Sequence, residues 1–312
     1  MPLQSRSVSL LGSSGAIGSL LQLSLKPSPL PLLRQPWRRL RISQEGGPAA
    51  EFEGVEPSLA PSSSLIVLIC KSYDVMSAVS TLPTSAPILV LSNGLVPLIR
   101  PLQECRREGE LFMGSTTVGA GKLSDVGGDD GLRAIEVKEN GRGQTILGSV
   151  SGGKDGKVDS VELLELFQSQ MNAASFPTSV VERSALLRAL WMKMFLNCLI
   201  NPGCTINGTM NEEAQLDTQL LNECLSVQRV VSPQLTIDQD EVKFLFDEVV
   251  EKTGKNRNSM LQDLEAGRKT EIDFLTGYIR RVGEEHGVDV RRSRELEVRV
   301  KDLERVKNTV GT

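Results

Sequence analysis

An α/β domain followed by an all-α domain is what this chain of 312 residues predicts, and three observations carry the prediction. Short apolar runs alternate with a helix-like stretch and turn residues in the first half. A glycine-rich segment separates the halves. From about Val158 onward the apolar residues recur at helical spacing almost throughout. The length suits two domains better than one, and 39% hydrophobic residues give enough apolar material for two cores. The expected domains are residues 1–157 and 158–312.

The elements follow in order. Ser7 to Leu11 (SVSLL) is a short apolar run, predicted as a strand. A glycine-rich turn and a helix-like stretch from Ala16 to Leu25 come next. Pro27 to Pro61 is rich in Pro, Gly and Arg and only weakly patterned. Leu65 to Cys70 (LIVLIC) has no polar alternation, as a strand buried on both faces requires. Ile88 to Leu91 (ILVL) reads the same way and runs into Ser92-Asn93-Gly94. Strands alternating with helices predict a parallel sheet covered on both sides. Gly143 to Lys157 is expected to close this domain. In the second half, Leu186 to Ile200 is a helix expected to break at Pro202-Gly203. Val242 to Thr253 is another. Glu271 to Glu285 is one amphipathic helix with Ile272, Leu275, Ile279 and Val282 on a single face, and Val288 to Val306 makes a charged last helix.

Composition excludes several classes. A net charge of -4 gives no reason to expect nucleic acid or an anionic membrane as partner. The longest apolar run is far too short to span a bilayer. The five cysteines (Cys70, Cys105, Cys198, Cys204, Cys224) are odd in number and contain no CxxC pair, so a reducing compartment is expected, the cytoplasm, with neither disulfides nor zinc. The first 44 residues hold no Asp or Glu and six Lys/Arg, which also fits a transit peptide and makes a mitochondrial location the alternative. Asp155-Gly156-Lys157-Val158-Asp159 with Glu162 imitates the back half of a calcium loop. Ser151 and Gly153 would hold its first and third ligand positions, so no metal is expected.

Gly12 to Gly18 reads GSSGAIG between the first strand and the first helix. Glycines in that place let the backbone approach a pyrophosphate, and the helix start offers it free N–H groups. Gly15 and Gly18 match the last two glycines of G-x-G-x-x-G, while Ser13 holds the first position and Gly12 comes one residue early. Gly12, Ser13, Ser14, Gly15, Ala16, Ile17 and Gly18 are therefore candidate cofactor contacts. NAD-preferring enzymes place an acid about 20 residues on, against the ribose hydroxyl. Here no acid precedes Glu45. Arg34 follows Leu32-Leu33 instead, with Arg38, Arg39 and Arg41 beyond it, and guanidinium groups suit the 2′-phosphate of NADPH.

A nicotinamide enzyme that reduces a carbonyl also needs a proton donor, usually His, Tyr or Lys. The single His286 sits in GEEHG at a helix end, a place the helix dipole favours for structural reasons. Neither Tyr73 nor Tyr278 has Lys four residues later. That leaves Lys193. In LLRALWMKMFLNCLI it stands on an otherwise apolar helix, with Asn197 and Asn201 at i+4 and i+8 on the same face. Unpartnered, each such buried polar group costs roughly 2–7 kcal/mol, so the stripe is expected to line a wet cleft. A partly desolvated lysine also has the lowered pKa that an acid needs. Glu271 or Asp273 is the candidate carboxylate to orient it. Ser259 either binds a carboxylate or caps a helix.

At this point the chain resembles the ketopantoate reductase family over most of its length. The blocks that carry the resemblance are LLGSSGAIGSL, ICKSYD, LSNGL and MGSTTVGA, then LWMKMFLNCLINP, NSMLQDLEAGRKTEIDFLTGYI and GEEHGV. The resemblance implies a Rossmann-type dinucleotide-binding domain before an all-helical one, with the active site in the cleft between them. It implies NADPH as cofactor, a small 2-oxo acid as substrate and a place in pantothenate biosynthesis. Lys193 resembles the family's general acid and Glu271 the carboxylate contacting it and the cofactor. Asn93 resembles the residue shared by nicotinamide ribose and substrate. Lys71 and Ala120 fall at cofactor positions. Asn197, Asn201, Asn211 and Ser259 fall at substrate positions. Three departures stand out: the displaced first glycine, a short stretch between Arg34 and Ser64, and Glu212 where the family has Gly. The rival readings are a relative that reduces another 2-oxo acid and a non-catalytic paralogue. Monomer and homodimer are both left open.

Overall fold

The computed structural model describes residues 7–11, 17, 20–21, 32–33, 39–45, 49–55, 64–106, 110–127, 132–141, 143–151 and 158–310. They fall in two compact units: Met1–Ser92 with Leu98–Leu186, and Asn93–Pro97 with Leu187–Thr312.

The first unit is built on a mixed sheet. Its strands are β1 (Ser7–Leu11), β2 (Leu32–Leu33), β3 (Arg39–Gln44), β4 (Ala50–Val55), β5 (Ser64–Leu68), β6 (Ile88–Leu91), β7 (Leu111–Thr116), β8 (Gly119–Gly127), β9 (Leu132–Gly141), β10 (Thr145–Ser149) and β11 (Thr178–Val180). The run β4-β2-β1-β5-β6-β7 is parallel throughout. That is the doubly wound order in which the chain reverses direction across the sheet beside β1. Leu65 to Leu68 are fully buried, as their continuous apolar run requires. Ile17, Leu20 and Leu21 are helical, and both leucines are buried in the sheet's core.

Helices α1 (Ser72–Ser80), α2 (Ile99–Cys105) and α3 (Val158–Ala173) belong to this unit. Leu163, Leu164, Phe167 and Met171 of α3 share a core with Val8, Leu10 and Leu65. Burying side chains of this size is worth roughly 1.5–3 kcal/mol each. The unit therefore continues to Leu186, past the expected limit at Lys157.

Three stretches hold strands that the local sequence pattern does not mark. The weakly patterned stretch from Pro27 to Pro61 holds β2, β3 and β4. Arg39 to Ile42 alternates basic and apolar residues, and β3 pairs with β4 so that Arg41 faces Glu51 directly. Within Gly143 to Lys157, the glycine-rich stretch expected to close the domain, β10 runs antiparallel to β7. Residues 119–141, which carry no strand in the sequence reading, form the β8–β9 hairpin, whose inner face buries Ile135 and Val137. Residues 152–157 of the calcium-like segment lie outside the described residues.

The second unit is helical. It continues α4 (Arg183–Asn207) and adds α5 (Thr218–Val231), α6 (Gln239–Thr253), α7 (Ser259–Glu265), α8 (Thr276–Glu285) and α9 (Arg291–Val310). Helix α4 runs through Pro202 instead of breaking there. Proline loses the bond to the residue four back and crowds that residue's carbonyl, a cost of about 3 kcal/mol. The flanking residues Ile200, Asn201, Cys204 and Thr205 are all buried, and that burial carries the helix on. Trp191 anchors α4: it is fully buried, its Nε1 donates to Ser232 Oγ at 3.1 Å, and its ring meets Phe195 and Tyr278. The expected single helix from Glu271 to Glu285 is two pieces, a 3-10 turn (Ile272–Phe274) and then α8. Leu275 breaks them with φ -112° and ψ -110°.

None of the five cysteines forms a disulfide; Cys105 is exposed, Cys70 partly so, and Cys198, Cys204 and Cys224 are buried. Among the described residues no helix is long and apolar enough to cross a membrane.

Candidate active site

In the first unit, β1 and β5 are parallel in register from Ser7↔Ser64 to Leu11↔Leu68. Both carboxyl ends therefore lie at the same edge of the sheet, where ligands of doubly wound folds bind. The glycine-rich segment follows the end of β1. Lys71 follows the end of β5 as the N-cap residue of α1, and Ala120 is the second residue of β8, which starts just after β7 ends. Ala120 is partly buried against the sheet's core. Of the turn, Ile17 is described, while Gly12, Ser13, Ser14, Gly15, Ala16 and Gly18 lie outside the described residues, as do Arg34 and Arg38. The reversal at β1, the parallel partner β5 and a lysine just past its end suit a dinucleotide. Arg41 is a different matter. Its Nε donates to Glu51 Oε1 at 2.8 Å across the β3–β4 pair, an exposed contact that a phosphate would have to compete with.

In the second unit, α4 carries Lys193, Asn197 and Asn201 on one face, and the stripe continues one turn further to Thr205. Lys193 and Asn197 keep some exposure, while Asn201 is 7% exposed and Thr205 2%. Burial in these apolar surroundings pulls the Lys193 ammonium down from the usual lysine range to about 8, and the Glu271 carboxylate opposes that shift. Glu271 is itself buried, at 5% exposure. It precedes the 3-10 turn with φ -92° and ψ 20°. Asn93 Nδ2 donates to its Oε2 at 3.3 Å. Gly94 then takes φ +56°, which a side chain would resist. So Lys193, Glu271 and Asn93, drawn from three distant parts of the sequence, come together. Of the two candidate carboxylates, Asp273 pairs instead with Lys301 at 2.6 Å.

The remaining predicted residues stand elsewhere in this unit. Asn211 is buried, with Nδ2 donating to Thr253 Oγ1 at 3.0 Å and Oδ1 without a partner among the described residues. Ser259 is exposed at the start of α7 and does not cap it. Asn258 does, accepting from Leu261 N at 3.0 Å. Thr205 and Asn258 were not singled out by sequence, although Thr205 continues the i+4 spacing. Thr205 Oγ1 reaches Asn258 Oδ1 at 3.5 Å.

The rejected donors behave as structural groups. His286 is exposed at the end of α8 with Nδ1 2.9 Å from the Val282 carbonyl. Burial pushes the Tyr278 phenol up to about 12, where it holds its proton. A cavity of about 710 Å³ opens beside Asn222, Glu223, Asp289 and Arg292. None of the predicted residues lines it, and Glu223 is occupied there in capping α9 through Arg292 N and Ser293 N, both at 2.8 Å.

Comparison with known proteins gives consistent matches. Residues 9–152 match the family described as ketopantoate reductase PanE/ApbA, and residues 185–304 match its C-terminal domain. The 2-dehydropantoate 2-reductase of Salmonella typhi is 30% identical over 263 residues, 82% of this chain and 80% of that protein. That of Vibrio cholerae is 26% identical over 93% of this chain and 95% of its own. Among solved structures, D-mandelate dehydrogenase with NADH and anilino(oxo)acetate is similar, with a TM-score of 0.75 at 22% identity, covering 97% of this chain and 100% of that one. The PanE/ApbA family ketopantoate reductase from Ralstonia eutropha is similar at a TM-score of 0.72 and 22% identity, with the same coverage.

Proposed function

The chain belongs to the ketopantoate reductase family, and from that premise we propose that it reduces the ketone of 2-dehydropantoate to the alcohol of pantoate, with NADPH, in pantothenate and coenzyme A biosynthesis. The observation that carries this reading is Lys193, whose ammonium burial draws down to about 8, beside a buried carboxylate and an amide.

When bound, the nicotinamide supplies a hydride to the carbonyl carbon. Everything else falls to the chain's own residues. As charge grows on the carbonyl oxygen, the Lys193 ammonium stabilises it and then transfers a proton from Nζ. The neutral amine left behind regains its proton from water. Glu271 favours the charged form of Lys193 between turnovers, and Asn93 holds Glu271. Asn197 and Asn201 extend the same stripe as substrate contacts. Asn211 offers a buried acceptor, Oδ1, to a substrate hydroxyl, and Ser259 a hydroxyl to the carboxylate. Gly12, Ser13, Ser14, Gly15, Ala16, Ile17 and Gly18 would hold the pyrophosphate and Arg34 the 2′-phosphate. Lys71, Asn93, Ala120 and Glu271 would contact the rest of the cofactor.

NADPH oxidation by the purified protein, with ketopantoate beside other 2-oxo acids, tests the reading. The highest kcat/KM is expected for ketopantoate. Higher kcat/KM for another 2-oxo acid replaces the substrate, and no oxidation with any of them removes the enzyme reading.

A further inference from the structure

Glu271 has to be held by tertiary contacts. It lies between Thr270 and a single 3-10 turn, and Leu275 interrupts the backbone before α8 begins. No long helix fixes its place. Two side chains of the last helix supply ties, and Arg281 of α8 adds one by donating to the Asp273 carbonyl at 3.1 Å. Glu304 Oε1 accepts from the Thr270 N–H at 2.6 Å, on the side before Glu271. Lys301 Nζ lies 2.6 Å from Asp273 Oδ1, on the side after it. Lys301 and Glu304 are three residues apart, so they share one face of α9. They hold residues 270 and 273 while Glu271 faces Asn93 and Lys193.

The ties are themselves braced. Lys301 also meets Glu297 Oε1 at 2.6 Å, and Glu297 is buried and engages Arg280 from α8. Thr270 is fully buried. Burial would raise the Asp273 carboxyl, but Lys301, with Lys269 and Arg281, brings it below its usual range, so it stays charged. The charged groups in play are therefore Glu271 facing Lys193; Lys301, Lys269 and Arg281 facing Asp273; and Arg280 with Lys301 facing Glu297.

We propose that Lys301 and Glu304 are positioning residues for the reaction: by clasping Thr270 and Asp273 from α9 they fix the Glu271 carboxylate against Lys193 and so set the pH range in which Lys193 can give its proton. This rests on the proposed role of Lys193. The clasp makes a prediction whose sign separates it from a simple charge effect. Removing the Lys301 cation acts through space to favour the Lys193 ammonium and would move its titration up. Releasing Glu271 removes a nearby anion and moves it down.

The test compares wild type with Lys301→Met, Glu304→Ala and Glu304→Gln. Glu271→Gln marks full loss of the carboxylate. Arg305→Ala, whose side chain pairs with Asp302 on the exposed face of α9 and with no other described acid, is the control. Two readouts are taken on each folded protein, with melting curves alongside. One is the pH profile of ketopantoate reduction by the holoenzyme. The other is direct NMR titration of Lys193 in lysine-labelled protein, which needs no turnover. Lys301→Met and Glu304→Ala should lower both the alkaline limb and the titration by about one pH unit, towards Glu271→Gln. Glu304→Gln keeps an acceptor for Thr270 and should stay closer to wild type than Glu304→Ala. An unmoved or raised Lys193 titration in folded Lys301→Met and Glu304→Ala overturns the clasp. A titration that falls in a protein without ketopantoate turnover keeps the clasp and sinks the functional reading instead.

Discussion

Asn93 and Glu271 are 178 residues apart in sequence, yet the amide of the first donates to the carboxylate of the second at 3.3 Å. Glu271 is buried, and a buried carboxylate is stable only with such partners. The amide supplies a donor and the Lys193 ammonium a countercharge. The group that tunes the lysine is thereby held by the segment that follows β6, the strand ending at Leu91.

Lys193 carries the chemistry in this reading. Replacing it with Ala should lower kcat by at least ~10²-fold, the low end for general acid catalysis, or about 2.7 kcal/mol of barrier. NADPH affinity and the melting temperature should hardly change. Lys193→Arg should not restore the rate, because guanidinium keeps its proton near neutral pH. Steady-state turnover beside NADPH titration and a melting curve decides it. Near wild-type turnover in folded Lys193→Ala would remove Lys193 as the acid.

The lowered pKa of Lys193 fixes the direction of the pH response. An acid titrating at about 8 is protonated below that value and lost above it. Reduction should therefore decline as pH rises through about 8, and pantoate oxidation, which needs the neutral amine, should rise over the same window. Because Glu271 opposes the shift, Glu271→Gln should move both limbs to lower pH. Profiles of kcat in both directions check this, and limbs that move upward in Glu271→Gln would contradict it.

Cofactor choice is predicted to rest on Arg34. No acid precedes Glu45 to hold a ribose hydroxyl, and Arg41 is engaged by Glu51. A charged hydrogen bond to the 2′-phosphate is worth about 1.5–3 kcal/mol. Arg34→Ala should accordingly raise KM for NADPH and leave NADH nearly unchanged. Equal weakening of both cofactors would make Arg34 a structural residue.

Stability in the helical unit should depend on a carboxylate far from the chemistry. Glu223 accepts from two backbone N–H groups at the start of α9 and from Ser293 Oγ at 2.7 Å, and it is buried. Glu223→Ala strands these donors, at a cost of about 3 kcal/mol. Urea unfolding should register that loss, while kcat of the folded variant stays unchanged. A loss under about 1 kcal/mol would mean that water replaces the carboxylate at this cap.

Much of this was legible in the chain because some residues permit few readings. LIVLIC and ILVL lack polar alternation, so they mark buried parallel strands. Lys193, Asn197 and Asn201 stand out because the other residues from Ala189 to Ile200 on α4 are apolar. The hairpins were not legible: β3 shows only Leu40 and Ile42 between charged or polar neighbours, and β8 and β9 alternate charge with small or aliphatic residues. Their place is decided by cross-strand pairs such as Arg41 with Glu51, which lie outside any local window. The same holds at the site. Periodicity places Ile272, Leu275 and Ile279 on one face but is blind to the backbone break at Leu275. No local pattern links Asn93 to Glu271, or Thr270 to Glu304.

The distribution of thiols makes the folded protein selective towards alkylating reagents. Cys105, at the end of α2, is exposed, whereas Cys198, Cys204 and Cys224 are buried, and burial raises Cys204 while a hydrogen bond with Cys198 and then burial raise Cys224 further from the reactive thiolate. Brief maleimide treatment of native protein should consequently place a dye or spin label on Cys105 first and on Cys70 more slowly. The site helix α4, with Cys198 and Cys204, would stay unlabelled until denaturant is added. A reporter group can thus be installed on the sheet-bearing unit of the wild-type chain without engineering a cysteine.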